Sequence, residues 1–551
     1  ALAFGALSRK LGWVPAGLFC GLFLSLNGLA TAYHPLQPDH HGLQLGAVLL
    51  AFICLQLGGL GWTRRNASPQ PLRAVRALLP FILPAPAEAR RWFIAAGVFG
   101  GLALWVGATV WLFALAVTAL AAFAVLPAFF RQDNAVAEYH PGLWRLWAIA
   151  GSAVAAVFYL AEYAPARFSM RLEVNHPLYW LCWLGVAEVL RFAGASTSGL
   201  IWKNRRGADW AGVALGVLGA AALPLLIRFG PPAWHQMNHL LLQRLHAGFI
   251  DECQSAWPNI QANPGRFFFG NMGILPVWAL VLAFAHFRAR PHTAGEAAPL
   301  RAALVFSAGF FLLLLYQLRW GYLATGALAW LAILSLSWWS GRPLAVGPLV
   351  HCAAAALLVN VLLADSGRLR VENAAAVARQ VPPNWIRSAL SKRTALQWGL
   401  AAGTNQWRMV GMATEAPVFY YYAGIQAGAS FYWENAAGWE AETAFFADES
   451  PEGENARRIA RERGLTHAYA KPADSLPRLY TTLHTGRSHP EAIRRSLAGR
   501  LAFPQKVPLP AWILHAPDLT ALTAKTYVFQ TPEGLIGENT VGQMFRLQPA
   551  P

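Results

Sequence analysis

The sequence predicts a polytopic α-helical membrane protein with a C-terminal soluble α/β domain. Three observations carry this. Only 13% of the 551 residues are charged while 56% are hydrophobic, against about 25% charged in an average soluble protein. From residue 12 to residue 364 the apolar residues gather into runs of about 17–25, the length a helix needs to cross a hydrocarbon core. Beyond residue 365 charged residues return and no such run occurs. The chain therefore divides into a transmembrane part, 1–364, and a soluble part, 365–551, the latter of about 185 residues, enough for a core of its own.

Helices are predicted near 12–33, 43–62, 93–110, 111–130, 144–163, 177–195, 209–227, 271–288, 301–317, 320–339 and 344–364, about eleven spans plus part of another at residues 1–8. The run over 93–130 is too long for one span and is split near Gly107. Full apolar character with Gly and Pro inside suits a membrane bundle. The sequence opens in an apolar stretch, Ala1 to Leu7, with no methionine or charged leader. An earlier span and its loop are expected to precede it.

Basic residues alternate between loops. Arg9, Lys10, Arg64, Arg65, Arg73, Arg76, Arg90, Arg91, Lys203, Arg205, Arg206, Arg288, Arg290 and Arg342 fall on one side. The full count is about 16 against about 6 on the other, which makes the rich side cytoplasmic. The loop at 34–42, the long loop at 228–270 and the domain from 365 then share the external face of an inner (plasma) membrane, with the domain periplasmic. The net charge of +17 belongs largely to these helix-flanking arginines, so a nucleic-acid partner is excluded. Four of the five cysteines lie in apolar runs and the soluble domain has none, so no disulfide framework or thiolate metal site is expected.

In the soluble part Met409–Thr414 reads as a strand. Pro417–Gly424 and Glu454–Gly464 read as helices, the second capped by Gly464, and Thr466–Ala470 reads as the next strand. This alternation predicts a small sheet covered by helices.

Three polar constellations are not explained by the bilayer. His34-Pro-Leu-Gln-Pro-Asp39-His40-His41 forms a short external loop. Asp39 and His41 are two apart, so one turn can aim both at one point, as a carboxylate and an imidazole forming half a divalent-metal site. Phe249-Ile-Asp251-Glu252-Cys253-Gln254 places a carboxylate in the long external loop, suited to orient or deprotonate an acceptor. Gln317-Leu-Arg319-Trp320-Gly-Tyr322 places an arginine at an external helix junction, suited to a phosphate or carboxylate. The competing readings are a headgroup-level loop, a solvated acid and a snorkelling cation. Glu162, Glu173, Asn175 and His176 border another external loop and are expected to pair structurally. Tyr420-Tyr421-Tyr422 reads as interface belt or domain packing. A metal half-site, a carboxylate and an arginine on one membrane face point to chemistry on a lipid-borne anionic substrate. There a divalent cation would offset the charge of a departing diphosphate.

At these residues the chain resembles the catalytic subunit of oligosaccharyltransferases, membrane glycosyltransferases of the C-type fold. Asp39-His40-His41 resembles the family's second acidic motif in its Asp-x-His form, implying Asp39 as a catalytic residue and Asp39 and His41 as ligands of a divalent metal, Mg or Mn. Ile250-Asp-Glu252-Cys-Gln254 resembles the external-loop motif whose glutamate engages the acceptor, implying a catalytic role for Glu252. Gln317-Leu-Arg319-Trp-Gly-Tyr322 resembles a motif with a substrate-contacting arginine. Val418–Gly424 and Ala429–Tyr432 are similar to the start of the family's external domain. Two departures stand out. The first acidic motif has no counterpart and would precede residue 1. The Trp-Trp-Asp motif that reads the acceptor sequon is absent from Met409–Ala416. The resemblance implies transfer of a sugar or oligosaccharide from a polyprenyl-(di)phosphate carrier to a protein, lipid or polysaccharide acceptor. The alternatives are a single-sugar transferase of the same fold, a transporter and a non-catalytic homologue. A transporter would carry its ionisable groups at mid-membrane and repeat its halves, which this sequence does not.

Overall fold

The protein, seen in a computed structural model, is described over residues 7, 13–26, 29, 40–64, 83–126, 137–165, 168, 170–197, 207–231, 239–250, 253–288, 294–340, 396–402, 407–411, 416–428, 435–470, 475–504, 506–521, 525–526, 529–531, 534–536, 539–540 and 543–548. The chain forms two compact units. The first comprises 1–235 and 252–370, the second 236–251 and 371–551.

The described helices of the first unit are α1 (Trp13–Ser25), α2 (His40–Leu57), α3 (Pro86–Val106), α4 (Ala108–Val125), α5 (Gly142–Tyr163), α6 (Pro177–Thr197) and α7 (Gly207–Phe229). After the chain returns from the second unit come α9 (Trp257–Ala262), α10 (Pro264–Met272), α11 (Leu275–Arg288), α12 (Ala294–Tyr316) and α13 (Gly321–Ser340). Among the described residues four helices are long and apolar enough to cross a bilayer: α2, α4, α5 and Ala298–Tyr316 of α12. α3, α6, α7 and α13 run for 21, 21, 23 and 20 residues, or about 30 Å each. Leu120 of α4, Val157 of α5, Leu218 of α7 and Leu280 of α11 are apolar side chains that water would not favour, all more than half exposed.

Glycine lets these helices touch backbone to backbone. A Cβ on Gly97 would lie 2.5 Å from the Trp147 carbonyl oxygen, and one on Gly101 would lie 2.6 Å from that of Gly151. Gly97 and Gly101 are four apart on α3, the small-xxx-small spacing of close membrane helix pairs. Trp111 and Trp183 then fill the space beside Gly100 and Gly151. Their rings would be 2.5 and 2.0 Å from added Cβ atoms, and both are fully buried.

The structure changes several helix limits. The 93–130 run breaks at Gly107, whose extended φ of −165° separates α3 from α4. α3 starts at Pro86 rather than 93, with proline at its first position, where no amide partner is lost. The span read as 43–62 ends at Leu57. Gly59, Leu60 and Gly61 have φ of 74°, 52° and 95°, a left-handed path that turns the chain into β1 (Trp62–Arg64), paired antiparallel with β2 (Ala137–Tyr139). Gly273, at φ 58°, separates α10 from a shorter α11 within the span read as 271–288. The segment 228–270, read as loop, contains α8 (Leu240–Phe249), α9 and α10. The span read as 344–364 lies outside the described residues.

The second unit is a mixed sheet covered on both faces. β3 (Arg408–Val410) lies parallel to β4 (Gln426–Ala427) and β5 (His467–Ala470). β6 (Ile513–His515) and β11 (Gln543–Leu547) complete the order β4-β3-β5-β11-β6, with β11 antiparallel to β5 and β6. Two small ribbons precede β11: β7 (Lys525–Thr526) with β10 (Asn539–Thr540), and β8 (Phe529–Thr531) with β9 (Gly534–Ile536). Successive strand residues face opposite ways. Val410, Ala468, Ala470 and Phe545 enter one buried cluster, while Met409, Tyr469 and Met544 enter the other. Trp398 of α14 (396–402), Phe419 of α15 (Ala416–Ala423) and Leu519 of α21 (Pro517–Ala521) cover the second face. The first is covered from α16 (Ala436–Phe446), α17 (Glu454–Arg463), α18 (Ser475–Thr485) and α20 (Leu497–Ala502), which follows the short α19 (Pro490–Arg495). Leu242 and Leu245 of α8 join that cluster. Arg244 closes the C-terminal end of α18, donating to the carbonyls of Leu483 and His484 at 2.8 and 2.7 Å, where a cation meets the negative end of the helix dipole. Gly464 ends α17 at φ 59°.

His467 lies across the sheet from this helical layer. Its ring stacks on Trp407 with centroids 4.2 Å apart, and Nδ1 is 2.9 Å from the Thr466 hydroxyl. Burial first, and the nearby Arg546 second, push the imidazole down to about 4. The folded unit thus holds His467 neutral where the unfolded chain, with an ordinary value of 6.5, takes up a proton. Protons favour unfolding between those values.

Two outcomes are expected. Gly151→Ala should destabilise the bundle by about 1–3 kcal/mol through overpacking against Trp183, read as a lower melting temperature in detergent. The second unit's calorimetric transition in the full chain should fall as pH drops from 6.5 to about 4, and His467→Phe, which keeps the stack on Trp407, should flatten that slope.

Candidate functional site

The helix junction between α12 and α13 gathers the sequence motifs. α12 ends at Tyr316, Leu318–Trp320 form a single tight turn, and α13 starts at Gly321. Gln317 takes an extended conformation (φ −145°, ψ 137°), which lets the chain reverse. Trp320 is buried and meets Phe113 edge-on at 5.1 Å, pinning the turn to α4. Arg319 is half-buried beside it.

Two distant segments close on this turn. The amide of Leu318 donates to the Gln254 carbonyl at 2.9 Å. The Ser255 hydroxyl donates to the Leu315 carbonyl at 3.2 Å and accepts from the Trp257 amide at 3.2 Å. The segment just after Asp251-Glu252 is therefore fixed at the turn that carries Arg319. From the other direction, the ring of His41 lies 5.3 Å from that of Tyr322 and 4.4 Å from that of His40. His41 is half-buried in the first turn of α2, and Tyr322 sits in the first turn of α13. The N-terminal ends of α2 and α13 thus come together, and the positive ends of two helix dipoles favour an anion. Arg319 adds a full positive charge.

The helices are held in this relation by polar side chains within the bundle. Gln56 donates to the Pro299 carbonyl at 3.0 Å and accepts from Trp330 Nε1, tying α2 to α12 and α13. Ser307 donates to the Ala327 carbonyl at 2.9 Å, tying α12 to α13. Gln44 donates to the Gly107 carbonyl at 3.3 Å, placing the α3–α4 break beside the first turns of α2.

Of the four residues singled out in the sequence, His41 and Arg319 are described and approach the same turn. Asp39 and Glu252 lie outside the described residues. Among the described residues no group of three His, Cys, Asp or Glu side chains converges, so the stacked imidazoles of His40 and His41 do not by themselves make a metal site. The Ser255 anchor and the glutamines inside the bundle were not singled out from the sequence. Gln44 and Gln56 in apolar runs were the available signal, because a polar residue there needs a partner. Glu162, Asn175 and His176, read from the sequence as bordering another external loop, make structural hydrogen bonds. Glu162 accepts from Trp105 Nε1 at 3.0 Å. Asn175 donates to the Ala155 carbonyl at 2.7 Å and accepts from Trp180 at 2.9 Å, and His176 Nδ1 accepts from the Leu178 amide at 3.0 Å. In the second unit Tyr420 and Tyr421 are 65% and 79% exposed, so they do not serve its packing.

A bundle of apolar helices bearing a polar junction at one end, joined to a mixed α/β unit, is a recognisable class of membrane-protein fold. The chain has the fold of the archaeal oligosaccharyltransferase from Archaeoglobus fulgidus. Against the apo form the TM-score is 0.55 at 13% identity, over 99% of this chain and 76% of that one. Against the form tethered by a disulfide to an acceptor peptide containing the NVT sequon it is 0.53 at 14% identity, over 98% and 61%. Against the complex with Zn and sulfate it is 0.51 at 14%, over 98% and 59%. The chain thus spans about three fifths of two of these structures. No family model and no curated protein matches the sequence.

The His41–Tyr322 contact gives a test of the junction. Tyr322→Ala should lower any activity of the site roughly 10–100-fold, as loss of a group orienting another does. Tyr322→Phe, which keeps the ring, should stay near wild type in the same assay.

Proposed function

We propose that the protein is a membrane glycosyltransferase moving a sugar or oligosaccharide from a polyprenyl-(di)phosphate carrier to an acceptor on the external face of the plasma membrane. One observation carries the reading. The Gln254–Ser255 segment, the Arg319 turn and the first turns of the helices bearing His41 and Tyr322 meet at one junction, though they lie far apart in sequence. A junction lined by two helix N-termini and an arginine suits a diphosphate. The fold likeness supports the same class. Eleven spans, with the second unit external, complete the topology.

In this reading Arg319 binds a donor phosphate or an acceptor carboxylate. Glu252, adjoining the anchored Gln254, orients the acceptor for attack on the anomeric carbon. Asp39 and His41 would hold a divalent cation, Mg or Mn, whose chemistry is to offset charge growing on the departing diphosphate. The Zn and sulfate bound in one similar structure support a divalent ion in this class. The acceptor peptide held by another supports a protein acceptor. Absence of Trp-Trp-Asp from Met409–Ala416 favours, as second reading, a lipid or polysaccharide acceptor and a single transferred sugar.

The test is transfer from a lipid-linked glycan by membranes carrying the full-length protein, with Mn²⁺ or Mg²⁺. Replacing Asp39 and His41 together by Ala should cut transfer more than about 100-fold, the scale lost with one strong electrostatic group. Undiminished transfer would remove the metal role. Mass spectrometry of glycoproteins and glycolipids from a deletion strain separates the two acceptors.

A further inference from the structure

A second polar feature lies at the opposite end of the bundle. α2 runs 18 residues from His40 to Leu57, about 27 Å, roughly the thickness of a bilayer's hydrocarbon core. It then turns into β1, whose ribbon with β2 leads directly to His140. The His140 amide donates to the Gly61 carbonyl at 2.8 Å. Beside this ribbon, between the start of α3 and the start of α5, is a groove of about 470 Å³.

The groove has two chemistries. One wall is apolar: Leu143, Leu146 and Ile149, with Ile149 57% exposed on the outer face of α5. The other carries Arg90, His140 and Arg145. Arg145 shares the Glu188 carboxylate with Arg191, through Nη2 at 3.0 Å and Nε, while Arg191 binds at 2.7 Å. Two guanidiniums on one carboxylate leave a net positive charge. The Nε2 of His140 is enclosed without a hydrogen bond, 4.0 Å from the Glu138 carboxylate. Arg90 is exposed and makes no ion pair or hydrogen bond among the described residues. A cation that meets no acid among the described residues, above an apolar wall and at the end of membrane-length helices, matches a phosphate joined to an acyl chain better than it matches a free anion.

We propose that this groove binds an anionic glycerophospholipid in the leaflet opposite the α12–α13 junction. The phosphate lies against Arg90, the His140 ring faces the headgroup, and an acyl chain runs over Leu146 and Ile149. The proposal rests on the bundle crossing a membrane and is independent of the transfer reaction. A docked lipid would cover the seam where α3 meets α5.

The experiment measures the lipids retained by the purified full chain after equilibration in mixed phosphatidylcholine and phosphatidylglycerol bicelles, by native mass spectrometry. The wild type should retain phosphatidylglycerol in preference to phosphatidylcholine. Arg90→Gln should reduce that preference about fivefold, the effect of one basic side chain at a lipid surface. Arg90→Lys should keep most of it. Arg91→Gln, which alters the neighbouring exposed arginine outside the groove, should leave it unchanged. An unaltered melting temperature of Arg90→Gln in phosphatidylcholine alone would confirm that the variant folds. Equal preference in Arg90→Gln and wild type would overturn the site. Equal losses in the Arg90 and Arg91 variants would overturn it too, by assigning the effect to diffuse surface charge. Displacement by inorganic phosphate would overturn the lipid as ligand.

Discussion

Close approach of α3 and α5 is the constraint on which the first unit depends. Without the hydrophobic effect to drive helices together inside a bilayer, association rests on packing and on polar contacts. Gly97 and Gly101 remove the side chains that would hold α3 away from Trp147 and Gly151, and the tryptophans Trp111, Trp147 and Trp183 occupy the remaining space as one cluster, Trp183 tilted against Trp111 and edge-on to Trp147. Large rings against missing side chains admit one register. That register places the Gly107 break beside Gln44, and so fixes the start of α2 with respect to α4. The polar junction is downstream of an apolar fit.

Inside this frame a few hydrogen bonds set direction. Gln56 reaches α12 and α13 near the end of α2 remote from His41, while the His41–Tyr322 contact joins the near ends. Two attachments along one helix prevent both sliding and rotation. The Gln254–Leu318 bond performs the same task for the segment following Glu252. The candidate site is thus built from backbone turns at helix ends, with the apolar spans acting as spacers between two polar surfaces.

Much of this was legible in the sequence, and the exceptions have physical causes. Apolar runs located the helices because hydrocarbon demands internally bonded backbone, and Gly107 showed where one long run divides. The glycine spacing at 97–101 was readable as well but was not read as packing. The left-handed path at Gly59–Gly61 was missed because run length says nothing about φ, so a helix ending in a ribbon looked like a continuing span. The helices within 228–270 were hidden because their apolar residues serve contacts distant in sequence: Leu242 and Leu245 pack among residues two hundred positions later. At the site, spacing identified His41 and Arg319 but not what joins them, since a ring contact between residues 281 positions apart leaves no local pattern.

The brief passage of residues 236–251 through the second unit has a consequence for how such a protein diverges. α8 supplies Leu242 and Leu245 to that unit's core and Arg244 to the end of α18, so the unit is not a detachable appendage following the bundle. A recombination event at the single joint near residue 370 would import a sheet lacking its sixteen-residue complement, and would leave a matching piece stranded in the old chain. The two units must therefore be inherited as a woven pair. Novelty in this architecture would come more readily by substitution within surfaces than by exchange of parts.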